Sequence, residues 1–164
     1  MDKTLLTHEI SNSLVLLNEE LRSFVANVNA GLWRKATANL YYAAFNATCA
    51  LLWSKGIRTE SHDGALSMLS LHFVKPGALP KDTTKNLNAL MALRHAADYK
   101  GEVAIESSDV EAQRKWTTQF VGKSLELLKA GGAKIDLKAI ARALAGACQV
   151  VIDDPNDDTG SNQR

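Results

Sequence analysis

At 164 residues and 17.8 kDa the chain has the size of one ordinary domain, long enough to bury roughly 70% of its unfolded surface without disulfide or metal staples. Hydrophobic residues make up 46% and charged residues 23%, which excludes a disordered, collagen-like or disulfide-scaffold chain. The 19 basic and 18 acidic residues nearly cancel, but unevenly: Asp153 to Arg164 holds four Asp and one Arg, so with +1 overall the rest of the chain stands at +4. Such a body is mildly basic and falls short of a strongly cationic nucleic-acid binder.

Cys49 and Cys148 lie far apart in apolar helical patterns and are expected to be buried free thiols. The four histidines, His8, His62, His72 and His95, lack metal-ligand spacing, so neither a metal nor another cofactor is expected. Met1-Asp2-Lys3-Thr4 opens no apolar signal-like run. No stretch approaches the ~20 apolar residues of a membrane span. The expectation is a reduced, cytoplasmic protein that does not engage a membrane.

From Leu5 to Val28, the apolar residues Ile10, Leu14, Leu17, Leu21, Phe24 and Val28 recur at alternating spacings of three and four, the stripe of an amphipathic helix. A second helix is predicted from Trp33 to Lys55, ended by Gly56. Its six alanines, with Leu40, Tyr41, Tyr42, Phe45, Leu51, Leu52 and Trp53, leave apolar residues on nearly every face, so it should be the central helix of a bundle. Ser61 or Asp63 caps a short third helix running to Phe73, and Lys75-Pro76-Gly77 stops it. Asp82 caps a fourth helix reaching Tyr99. Ser108-x-x-Glu111 reads as a capping box opening a fifth, which ends at Ala130-Gly131-Gly132. Ile135 to Val151 forms a sixth, amphipathic segment. The expected architecture is all-α: an up-and-down antiparallel bundle of about five helices over 1–131, a C-terminal amphipathic helix over 132–152 packed on the bundle or on a partner, and a disordered acidic tail over 153–164.

Three clusters carry potential chemistry. In Leu93-Arg94-His95-Ala96-Ala97-Asp98-Tyr99, Arg94 and Asp98 stand four apart and can pair. Arg94 also shares a helix side with Leu87, Leu90 and Met91. Either it is a snorkelling, ion-paired arginine, or its planar fork faces a cleft and grips phosphate. In Asn39-Leu40-Tyr41-Tyr42-Ala43-Ala44-Phe45-Asn46, aromatic rings and amides on one helix could line a groove or simply fill the core. Ser61-His62-Asp63-Gly64 starts a helix, where free N–H groups can hold an anion or merely be capped.

These blocks, together with Leu51-Leu52-Trp53-Ser54-Lys55-Gly56-Ile57 and His72-Phe73-Val74-Lys75-Pro76-Gly77-Ala78-Leu79-Pro80, resemble in order the HEPN domain (higher-eukaryote and prokaryote nucleotide-binding) over about Trp33 to Leu128. The likeness is to its small stand-alone prokaryotic branch. The resemblance implies an all-α bundle that pairs as a homodimer. Many relatives are metal-independent ribonucleases of toxin–antitoxin or defence systems, whose Arg-x4–6-His motifs meet across the dimer in a composite site. Others bind nucleotides, RNA or a minimal nucleotidyltransferase partner.

Transesterification at the 2′-hydroxyl needs a base, an acid and a cation for the developing charge, and His and Arg supply them without metal. Here the motif departs. Asp98 and Tyr99 occupy the positions where the histidine would stand, and the only nearby histidine, His95, is adjacent to Arg94 and points ~100° away on a helix. A tyrosine with an ordinary pKa near 10 is a poor base, and an ionised Asp98 would neutralise Arg94. Two expectations follow. In the first the chain is a nucleotide-, RNA- or partner-binding module, with Arg94 on phosphate and Tyr41, Tyr42, Asn46 and His62 lining the site. In the second it is a divergent metal-independent endoribonuclease across a homodimer, with Arg94, Asp98 and Tyr99 as catalytic residues or with His62 moving the proton.

Overall fold

The computed structural model describes residues 3–133 and 136–153. Six α-helices follow one another: α1 (Lys3–Asn29), α2 (Trp33–Ser54), α3 (His62–Leu69), α4 (Thr83–Tyr99), α5 (Ser107–Ala130) and α6 (Lys138–Gln149). A π-helical turn, Ser70–Val74, continues α3. The described residues contain no strand, and the all-α bundle is the fold. The tail expected from residue 154 onward lies outside the described residues, as does the expected start of the last helix at Ile135.

The centre of the bundle is α2, which contacts α1, α3, α4 and α5. It can do so because Ala36, Ala43, Ala44, Ala47 and Ala50 are all buried and let neighbouring backbones approach, while Leu40, Leu51 and Leu52 fill the space between them. The predicted stripe of α1 is likewise buried from Ile10 to Val28. Where α1 meets α2 a polar relay crosses the interface: Asn27 Nδ2 donates to Asn39 Oδ1 and Asn39 Nδ2 to Glu20 Oε2, each at 2.7 Å. Burial pushes the Glu20 carboxyl up, and the Asn39 hydrogen bond opposes that shift.

Several local expectations are corrected. The third helix does not stay α-helical to Phe73. Phe73 and Val74 at its end are both buried. The widened turn accommodates both and closes with Lys75 N–H donating to Ser70 O at 2.8 Å. Asp82 stands before α4 but its carboxylate makes no cap; it accepts instead from Asn86 Nδ2 at 3.1 Å. The cap of α5 lies two residues upstream of the expected Ser108/Glu111 pair: Glu106 is the N-cap, and its backbone N–H donates to Asp109 Oδ2 at 3.0 Å. Cys148 is exposed, not buried, because Ile140 and Ala147 take the two inward positions of α6; Cys49 is half-buried. Burial lifts the Cys49 thiol to about 11, so it remains protonated and unreactive near neutral pH.

Two arginines finish helices distant in sequence. Arg34, in the first turn of α2, reaches the end of α4. Its Nη1 donates to Ala97 O at 2.9 Å and Lys100 O at 3.3 Å, and its Nη2 donates to Gly101 O at 3.0 Å and to Val103 O. Ala97 O lies in the last turn of α4, where free carbonyls carry the negative end of the helix dipole, which a guanidinium suits, and the other three carbonyls belong to the segment that follows. Arg114 of α5 does the same for α6 through Cys148 O, while Nε donates to Glu111 Oε2 at 2.7 Å and Nη2 to Glu111 Oε1. That fork spends Glu111 and explains why it is not the α5 cap. With this clasp, α6 lies on α1 and α5.

Arg34→Ala should cost about 2 kcal/mol in urea unfolding and raise amide exchange at the end of α4 before the rest of the bundle. Arg114 holds the Glu111 carboxyl below its ordinary range, chiefly by hydrogen bonding. A carboxylate depressed in the folded state stabilises above its unfolded pKa and loses that effect as pH falls through the folded value. Glu111→Gln should therefore melt below the parent protein at neutral pH, with the two melting temperatures converging in acid.

Candidate phosphate-facing site

Three helices bring the candidate residues together on one side of the bundle. From α2 come Tyr41 and Tyr42, followed four residues on, about one turn later, by Phe45 and Asn46 respectively. The first turn of α3 supplies His62, and the last two turns of α4 supply Arg94, His95, Asp98 and Tyr99.

His62 owes its position to its cap. Ser61 Oγ accepts from Gly64 N–H at 3.0 Å, starting α3 as expected. A Cβ at residue 64 would stand 3.0 Å from that same oxygen, so glycine makes room for the cap. His62 then lies against Phe45, with ring centroids 4.2 Å apart, and its Nδ1 is hydrogen-bonded to the Tyr41 hydroxyl. Tyr41 is only 2% exposed. Its pKa is pushed up to about 12, first by burial, with the Arg94 charge pulling the other way. It therefore keeps its proton near neutral pH and can donate it to Nδ1, which leaves the hydrogen of a neutral imidazole on outward Nε2.

Arg94 is held on two edges. Its Nη2 donates to Tyr42 Oη at 2.6 Å. Buried Nε lies 2.9 Å from Asp98 Oδ2 as an ion pair, without the alignment of a hydrogen bond. The guanidinium carbon sits 5.5, 5.1 and 5.7 Å from the rings of Tyr41, Tyr42 and Tyr99, each contact worth about 0.5–1 kcal/mol at a partly exposed position. Its Nη1 is neither buried nor hydrogen-bonded among the described residues. Tyr99 is 67% exposed and tilts against the exposed ring of His95 at 4.9 Å.

Of the two sequence readings of Arg94, the ion pair with Asp98 is present, and the guanidinium also lies over three tyrosine rings. Tyr42 and Asn46 are half-buried at the surface of the cluster and His62 is exposed, whereas Tyr41 lies beneath it and acts through its neighbours. His95 stands on the far side of Tyr99 and makes no contact with Arg94 beyond the chain itself. Arg34 went unnoticed in the sequence; its carbonyl partners lie 62 to 69 residues further along, and nothing local at Trp33-Arg34 signals them. Among the described residues no group of histidine, cysteine and carboxylate side chains is arranged to hold a metal, and no helix is long and apolar enough to cross a membrane.

Comparison with known proteins matches the chain to one family. The HEPN domain model aligns with residues 18–127, about two thirds of the chain. A UPF0332 protein of Pyrococcus horikoshii is 34% identical over 79 residues, covering 48% of this chain and 56% of the relative. A UPF0332 protein of Thermotoga maritima is 33% identical over 98 residues, covering 60% and 65%. A protein of Methanocaldococcus jannaschii that bears the provisional name of toxin is 30% identical over 121 residues, covering 74% and 90%. The chain spans little more than half to just under two thirds of the length of the two UPF0332 relatives. The family model runs from the later part of α1 into α5 and so takes in α2, α3 and α4, the helices that build the Arg94 cluster, and the chain belongs to the HEPN domain family.

Proposed function

We propose that this chain is a toxin-like HEPN module that binds RNA or a nucleotide through the Arg94 cluster and works beside a second protein, a minimal nucleotidyltransferase, with two copies joining so that their Arg94 clusters face one another. The observation that carries the reading is the free Nη1 edge of Arg94. Tyr42 and Asp98 fix the guanidinium on its other edges, so a phosphate oxygen meets a pre-oriented donor and little side-chain entropy is lost on binding. Exposed Tyr99 and His95 offer rings on which bases can stack. The toxin name of the Methanocaldococcus jannaschii relative agrees with the two-component setting.

A second reading has one observation in its favour. The Tyr41 hydroxyl orients His62 and turns Nε2 outward on the same side of the bundle as Arg94. In that reading neutral His62 takes the proton of the 2′-hydroxyl as its oxygen attacks phosphorus, and Arg94 stabilises the charge on the phosphoryl oxygens. A protonated group of the second copy gives its proton to the departing 5′-oxygen. The binding reading stands first because Asp98 is spent on Arg94 and the one imidazole of α4, His95, lies against Tyr99.

Labelled RNA incubated with the protein in EDTA decides between them. Binding without cleavage, weakened tenfold or more by Arg94→Ala, is the expected result. Metal-independent cleavage lost in both Arg94→Ala and His62→Ala would replace it with the second reading. RNA and nucleotide binding left unchanged by Arg94→Ala would remove both.

A further inference from the structure

We propose a second ligand site, remote from the Arg94 cluster in the fold: the groove between α1 and α6 takes a small organic phosphate, held by Arg22 and Arg142. The groove encloses about 540 Å³, within the few-hundred to one-thousand Å³ range of small-molecule sites. Asn18 and Arg22 line it from α1; Ala139, Arg142, Ala143 and Gly146 line it from α6.

Its charge is the first argument. Both guanidiniums border the same groove, and neither has a hydrogen bond or ion pair among the described residues. The acids nearby do not answer them. Glu20 accepts from Asn39 at the α1–α2 interface. Glu19 and Asp136 line the adjoining groove, which Arg22 also borders, but among the described residues neither forms an ion pair with an arginine, and Asp136 Oδ1 accepts from Lys138 N–H at 2.9 Å. Helix α6 buries Ile140 and Ala147 in the core and packs Ala143 and Leu144 partly against it, which forms its seat on the bundle. Two like charges beside that seat oppose it unless an anion bridges them.

The second argument is an orphaned acceptor. Asn18 Oδ1 is buried and has no hydrogen-bond partner, an arrangement that costs stability until a donor arrives. A ligand that suits the whole groove therefore joins a phosphate, matched to two guanidinium forks, to a hydroxyl or amino donor. A sugar phosphate or mononucleotide has both. The α6 wall consists of Ala139, Ala143 and Gly146, which leaves room for its body, and closes at Gly146, where a Cβ would stand 3.9 Å from Val25. A short concave groove with a single pair of cations favours a small molecule over a length of nucleic-acid backbone, which needs a track of charges.

Titration calorimetry and thermal melts of the full chain at fixed ionic strength test the proposal, with ribose 5-phosphate and adenosine 5′-monophosphate as probes and ribose and adenosine as controls. The phosphorylated probes should bind and raise the melting temperature by about 3 °C or more near saturation, and the unphosphorylated controls should not. Arg22→Gln and Arg142→Gln should each weaken binding at least tenfold. Ala143→Leu should block it by filling the groove with both arginines intact. Arg58→Gln, elsewhere on the surface, should change nothing, and Arg94→Ala should retain binding, which keeps this site distinct from the proposed function. No response to either phosphorylated probe overturns the proposal. So does equal weakening by Arg58→Gln, or binding at these arginines by a single-stranded RNA oligomer alone.

Discussion

Two guanidiniums cross the contact between α2 and α4 in opposite directions, and the candidate site depends on both. Arg34 leaves α2 to close the end of α4; Arg94 leaves α4 to reach Tyr42 on α2. The apolar share of this contact is modest, since α4 buries only Leu87, Leu90 and Ala97 among its apolar side chains, against nine on α2. Each large buried apolar side chain contributes on the order of 1.5–3 kcal/mol, so the charge-assisted bonds of two arginines, at roughly 1.5–3 kcal/mol apiece, are of comparable weight. Hydrophobic burial makes α2 the central helix, and the arginines fix where along it α4 ends. That decides which residues of the last two turns stand over Tyr41 and Tyr42.

Most of the architecture was legible because it rests on period. The α1 stripe from Ile10 to Val28 and the all-round apolar surface of α2 each have one physical solution, a helix packed on one face and a helix packed on several. Features that depend on competition were not legible. Ser108-x-x-Glu111 has the composition of a capping box, but Arg114 draws Glu111 into a two-pronged pair, and Glu106 with Asp109 serves instead. Cys148 and Ala147 fit the α6 stripe almost equally by sequence; the register set by Ile140 puts Ala147 inside. At Phe73 and Val74 two neighbouring apolar residues both gain from burial, which favours a widened turn that no propensity anticipates.

At the site, the i to i+4 pairing of Arg94 with Asp98 was readable because it is local. The contacts of Arg94 with three tyrosines were not, since two of those rings come from a helix some fifty residues earlier. Those contacts change the meaning of the arginine. An exposed Arg–Asp pair is nearly neutral as seen from outside and contributes little. Here Asp98 takes only the Nε edge and the rings take a face, so the Nη1 edge still presents charge outward. On the proposed reading Asp98 weakens the field felt by an approaching phosphate but also orients the donor, and for a short-range hydrogen bond orientation matters more than long-range field in salt solution.

The same geometry separates holding a phosphate from cleaving its ester. On the proposed reading, holding it requires a fixed donor and a surface for the bases, roles that fall to Arg94 and to Tyr99 with His95 and that call for no change of protonation. Cleavage requires a group that gains and loses a proton within the same encounter. Tyr41, with its pKa raised to about 12, is excluded from that role and acts only on the direction of the His62 ring. Besides the exposed His95, which lies against Tyr99, the imidazole of this cluster is His62 on α3, linked to the arginine of α4 through the buried Tyr41. In a motif where arginine and histidine lie on one helix, their spacing is set by the helix itself. In this chain that spacing is set by tertiary packing around Tyr41, so whatever chemistry the site performs is coupled to how firmly α2, α3 and α4 are held together.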